Sequence, residues 1–124
     1  MTFAITFTIV STLFPAMMIF FGRWIYKYPP PDINSGFGYR TKRSSASKEA
    51  WDFAQVTAGG YWAVLGKYSL PIFVFVSVCI SVLVHVAGID ERHYIFFFYG
   101  LIALQLMAFL SVVPYTEKQI KTRF

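Results

Sequence analysis

Three long stretches of the chain carry no Asp, Glu, Lys or Arg: residues 1–22, 68–89 and 94–116. As an α-helix each would reach about 33–35 Å, more than the roughly 30 Å hydrocarbon core of a bilayer. Their richness in Phe, Ile and Val also suits strands, but an open strand in lipid leaves its backbone unpaired, and three strands cannot close a barrel. The pattern therefore predicts an all-α membrane protein with three transmembrane helices over about 2–22, 68–89 and 94–116, forming one membrane domain of residues 1–124. Pro71 falls near the start of the second helix, where a missing N–H costs little, and Pro114 near the end of the third. Pro15, inside the first, predicts a kink or the end of its regular part.

The pattern changes in the loop 23–67. Tyr28-Pro29-Pro30-Pro31 stops the first helix and favours an extended exit. Asn34, Ser35, Gly36 and Gly38 then mark an irregular loop. From Ser47 a helical period returns, with Ser47 placed to cap and Glu49 in the first turn. Trp51, Ala54, Ala58, Tyr61, Trp62 and Leu65 share an arc of about 100° on such a helix. This predicts an amphipathic cytoplasmic helix over about 47–66, before the second span, with its apolar arc in the headgroup region or against the bundle. Gly59-Gly60 weakens its middle and allows two shorter helices instead.

Composition supports the membrane reading. Apolar residues make up 56% of the chain and charged residues 14%, which excludes disorder for most of the chain and disfavours a small soluble globule with that much apolar surface to hide. The net charge of +5 would suit nucleic acid, but its placement points to a bilayer and to no direct nucleic-acid contact. The loop 23–67 holds seven Lys and Arg (Arg23, Lys27, Arg40, Lys42, Arg43, Lys48, Lys67), the tail three (Lys118, Lys121, Arg123) and the short turn 90–93 one, Arg92. Loop and tail share a side in a three-span chain. The positive-inside rule then sets both in the cytoplasm of a bacterial cytoplasmic membrane, with the N-terminus and the turn outside. Trp24, Tyr26, Tyr28, Tyr68, Tyr94 and Tyr115 sit near span ends, where an aromatic belt belongs. The first run is longer than a signal-peptide core, with no basic segment before it, so it reads as a span.

The segment Gly36-Phe37-Gly38-Tyr39-Arg40-Thr41-Lys42-Arg43-Ser44, followed by Lys48-Glu49-Ala50-Trp51-Asp52-Phe53-Ala54, resembles the SdpI family of small bacterial membrane proteins. Gly38, Tyr39, Arg40, Thr41, Ser44, Trp51 and Ala54 match the family's pattern, and Pro114-Tyr115-Thr116-Glu117-Lys118 resembles its Pro-x-Thr-Glu ending. The resemblance implies immunity against a membrane-active peptide toxin or bacteriocin, with signalling through a cytoplasmic transcriptional repressor held at the membrane. It makes Gly38, Tyr39, Arg40, Thr41, Ser44 and Trp51 the candidate partner- or ligand-binding residues. Physically, the Arg40 fork suits a carboxylate, a phosphate or a lipid headgroup. Three roles stay open for the basic run: topology determinants held by anionic lipid, an internal clamp folding the loop, or recognition of a ligand or partner.

Inside the spans, Ser77, Ser81 and His85 recur every four residues on one face, and Gln105 lies at the centre of the third run. Polar groups in lipid need partners, and hydrogen bonding between helices is the expected role. No charged residue lies within a span, which disfavours an ion pump. His85, Asp90, Glu91 and His93 cluster near the outer turn but match no metal-binding spacing. Cys79 has no neighbouring base, and no carboxylate within the membrane orients His85, so neither catalysis nor a cofactor is expected. A small transporter or channel subunit, and a structural or lipid-sensing membrane protein, are the alternative functions. The sequence leaves a homo-oligomer open.

Overall fold

The structure is a computed structural model that describes residues 2–33 and 38–124; Asn34, Ser35 and Gly36 of the expected irregular loop lie outside the described residues. The described chain is helical, with α1 (Thr2–Lys27), α2 (Lys48–Val86), a 3₁₀ turn (Glu91–His93), α3 (Tyr94–Leu110) and α4 (Val112–Arg123). Three helical segments, Thr2–Lys27, Lys48–Val86 and Glu91–Arg123, are long and apolar enough to cross a membrane. The loop before α2 and the helix α4 lie at one end of the bundle, the motif end. The turn between α2 and α3 lies at the other.

Local chemistry accounts for most boundaries. Helix α1 runs through Pro15 without interruption and stops where Tyr28-Pro29-Pro30-Pro31 begins. Ser47 caps α2, its hydroxyl accepting from the Ala50 N–H at 3.0 Å. Gly88, at φ +66°, closes α2 at its far end. The Gly88 N–H bonds the His85 carbonyl at 3.3 Å and the Ile89 N–H bonds the Val84 carbonyl at 3.0 Å, which is the Schellman pattern.

The amphipathic segment expected as its own helix is not separate. Residues 48–86 form one unbroken helix of 39 residues, about 58 Å long. The weak point at Gly59-Gly60 does not break because α1 packs directly on it. A Cβ built on Gly59 would come within 2.7 Å of the Tyr26 nitrogen, and one on Gly22 within 2.5 Å of the Ala63 nitrogen. A Cβ on Gly66 would meet the Pro15 carbonyl oxygen at 2.9 Å. Glycine here lets two backbones touch, and the close packing outweighs its roughly 1 kcal/mol cost in helix propensity. The apolar arc of 47–66 faces protein: Trp51, Ala54 and Ala58 are wholly buried.

The third helical segment carries a one-residue break. Helix α3 ends at Leu110, and after Ser111 the chain re-enters a helix, α4, that carries the tail to Arg123. Pro114 explains the break. It has no N–H for the Leu110 carbonyl, and its ring would clash there, but in the first turn of a new helix it costs little.

Pro15 leaves the same gap in α1, where the Ser11 carbonyl has no intrahelical donor. The Gln105 side chain fills it: Nε2 of this almost wholly buried residue donates to the Ser11 carbonyl oxygen, tying α3 to α1. Two apolar cores flank this contact. Tyr39, Ala54, Ala58, Val112 and Ile120 form one at the motif end, and Phe7, Val84, Tyr94 and Leu101 the other at the turn end.

Candidate functional site

The motif residues assemble around the first turns of α2. Trp51 is wholly buried, and its indole N–H donates to the Pro30 carbonyl at 2.7 Å, so the proline-rich exit from α1 is held against α2. Gly38 follows at φ +111°, with the Gln55 side-chain oxygen and the Pro30 ring so near that a Cβ would meet them at 2.5 and 2.7 Å. Only glycine fits this conformation and this space. The Gln55 amide, wholly buried, then pairs with the backbone of Tyr39 in both directions. It accepts from the Tyr39 N–H at 2.7 Å and donates to the Tyr39 carbonyl at 2.6 Å. Those two bonds satisfy a buried amide and a buried peptide group together.

The chain beyond alternates inward and outward. Tyr39 is buried between α2 and α4, Arg40 is exposed, and Thr41 turns back toward α4. Thr41 and Ser44 close a turn reciprocally. The Ser44 hydroxyl accepts from the Thr41 N–H at 2.7 Å, and the Thr41 hydroxyl accepts from the Ser44 N–H at 3.1 Å. Ser44 is wholly buried.

Two hydroxyls of this loop converge on one carboxylate. Tyr39 donates to Oε1 of Glu117 at 2.8 Å and Thr41 donates to the same oxygen at 2.6 Å. Arg43 Nε approaches Oε2 at 3.3 Å. Glu117 thereby fastens the loop to α4. Burial, and then the Glu117 carboxylate as acceptor and as neighbouring negative charge, push the Tyr39 phenol well above its ordinary range. The arrangement holds a loop in one shape.

Gly38, Tyr39, Thr41, Ser44 and Trp51 are thus brought together, and Arg40 is not. Of the three roles left open for the basic run, an internal clamp is present, but Arg40 takes no part in it: Arg40 is exposed, no described residue pairs with it, and Arg43 with two neutral hydroxyls makes the contact to Glu117. Because Tyr39 points into the core, its neighbour on an extended run must point out. Gln55 and Glu117 are the site residues that sequence reasoning left out. The signals that would have found them are the polar position of Gln55 beside the apolar arc of α2 and the place of Glu117 in the tail motif.

The intramembrane group divides. Gln105 bridges helices. Ser77 and Ser81 instead bond their own helix, to the Phe73 carbonyl at 2.7 Å and the Ser77 carbonyl at 2.9 Å. His85 is exposed near the turn end. In the turn, Arg92 holds Asp90 through Nη2 at 2.8 Å and its own N–H at 3.0 Å, which keeps the exposed Asp90 carboxyl below its ordinary range.

Comparison with protein families matches residues 32–116 to the SdpI/YfhL protein family. The chain belongs to the SdpI/YfhL family. The matched stretch takes in the loop motif, all of α2 and α3 and the start of α4, and it stops one residue short of Glu117. No curated protein and no solved structure matches the chain. SdpI/YfhL membership, with three helices able to cross a bilayer, makes this a multi-pass membrane protein of an immunity-type family that is not a known enzyme family.

Proposed function

We propose that this protein gives a bacterium resistance to a membrane-active peptide toxin or bacteriocin, and that its motif end signals by binding a cytoplasmic transcriptional repressor. In this reading it sits in the cytoplasmic membrane with the N-terminus outside and the motif end in the cytoplasm, because the loop 23–67 and the tail hold ten of its eleven Lys and Arg. The observation that carries the reading is the motif shared with the family, locked into one shape by Gln55 and Glu117. A loop serving only as a charged topology signal needs no such lock. An immobilised loop beside a short helix is instead a surface that a partner reads without an ordering cost.

The test is deletion and re-expression under challenge with candidate peptide toxins, scoring survival. Re-expression should restore survival, and Glu117→Gln, at normal membrane abundance, should restore less. Equal survival with and without the protein across the toxin panel would defeat the proposal.

A further inference from the structure

On the flank of the bundle near the motif end lies an apolar groove of about 420 Å³ between α1, α2 and α3. Phe14, Phe21 and Ile25 of α1 line one wall, Trp62 and Phe109 the other, and Gly38 of the loop closes its end. The Trp62 and Phe109 rings stack at 4.9 Å, and the indole N–H is used on the Phe109 carbonyl, so that wall presents carbon alone. From Phe14 to Ile25 the groove follows α1 for about 16 Å, close to half of a roughly 30 Å hydrocarbon core. That is the depth of one lipid leaflet.

Charge at the closed end identifies what fits. Arg43 is engaged by Glu117, whereas Arg40 and Lys42 are exposed and no described residue pairs with either. Arg40 lies two residues beyond Gly38, about 7 Å of extended chain from the groove end. Both exposed side chains are long enough to reach a headgroup seated at that end, and a guanidinium fork matches a phosphate in shape and charge. We infer that this groove is a binding site for an anionic phospholipid, one acyl chain lying along Phe14, Phe21 and Trp62 and the phosphate held by Arg40 and Lys42. The site stands whether or not the protein confers immunity, because it uses the two cations that the Glu117 contact leaves free.

Trp62 in the wall supplies the readout. The probe is phosphatidylglycerol brominated on its acyl chains, added as a minor component to phosphatidylcholine bilayers holding the full-length protein. Brominated phosphatidylcholine at the same fractions is the reference. Emission of Trp62 is taken as the difference between the Trp24→Phe protein and the Trp24→Phe/Trp62→Phe protein, Trp51 being common to both. Phosphatidylglycerol should quench Trp62 at lower mole fraction than phosphatidylcholine, and loss of each cation should weaken that preference about fivefold. Arg40→Gln with Lys42→Gln should make the two lipids equivalent. Lys118→Gln with Lys121→Gln, which removes exposed charge on α4, should leave the preference intact. Equal quenching by both lipids in the native sequence would overturn the inference. So would a preference that survives Arg40→Gln/Lys42→Gln, or one that falls equally with the α4 charges, since either means a diffuse basic surface.

Discussion

At the scale of single residues, the charge that a sequence advertises and the charge that holds the loop are different. Arg40 sits in the middle of the family motif yet is exposed, while Glu117, far along the chain in the tail, receives two hydroxyls and a guanidinium. Hydrogen bonds to a charged acceptor are worth about 1.5–3 kcal/mol each, whereas an exposed ion pair is worth about 0–1 kcal/mol. The hydroxyl bonds therefore outweigh the Arg43 contact, whose side chain is 53% exposed. Glu117→Gln should cost about 1–3 kcal/mol in reversible unfolding from detergent micelles, because a neutral amide oxygen is the weaker acceptor. Arg40→Gln should change stability by no more than about 0.5 kcal/mol. A larger loss for Arg40→Gln than for Glu117→Gln would reverse this assignment of roles.

At the scale of elements, prolines and glycines act through their neighbours. Pro15 does not end α1, because the carbonyl it strands on Ser11 takes its donor from Gln105. The two positions should therefore be coupled. Gln105→Leu should cost more in the native sequence than in a Pro15→Ala background, where the substituted residue regains a backbone N–H for that carbonyl, and the coupling should be about 1 kcal/mol. Additive effects of the two substitutions in an unfolding cycle would show that the bond contributes nothing.

Glycine gives a second contrast at the same scale. Gly22 and Gly100 both lie inside apolar helices, but a Cβ on Gly22 meets Ala63 and Gly59 backbone atoms at 2.5 and 2.7 Å, and one on Gly100 meets nothing within 4 Å. Backbone cannot swing aside as a flexible side chain can. Gly22→Ala should force α1 and α2 apart and lower stability by more than about 2 kcal/mol. Gly100→Ala should be neutral or stabilising by up to about 1 kcal/mol through helix propensity. The same unfolding assay ranks the two.

At the scale of the whole molecule, the bundle has two unlike ends. One carries the locked motif, α4 and nearly all of the positive charge; the other is a short turn stapled by Asp90 and Arg92. The ten-to-one split of Lys and Arg predicts which end meets the cytoplasm. With Cys79→Ser as background, a Lys48→Cys protein should resist an impermeant thiol reagent in intact cells, and a Glu91→Cys protein should be labelled. Labelling in the opposite pattern would invert the proposed orientation and remove the cytoplasmic repressor as a partner.

Reaching across a membrane is a property a segment owns by itself, since length and apolarity are written in consecutive residues. The three apolar runs, the Ser47 cap and the stop at Pro29-Pro30-Pro31 were therefore legible in the sequence. Whether Gly59-Gly60 breaks a helix depends on what lies against it, and it is the packing of α1 that keeps the helix continuous. The pairing of Gln55 with Tyr39 spans 16 positions, and that of Thr41 with Glu117 spans 76. No local period carries such distances. A hydrogen bond between remote residues exists only where the crossing of the helices brings donor and acceptor within about 3 Å. Consecutive residues thus specify three helices able to cross a bilayer, while the crossing of those helices is what fastens the loop between the first two to the tail of the third.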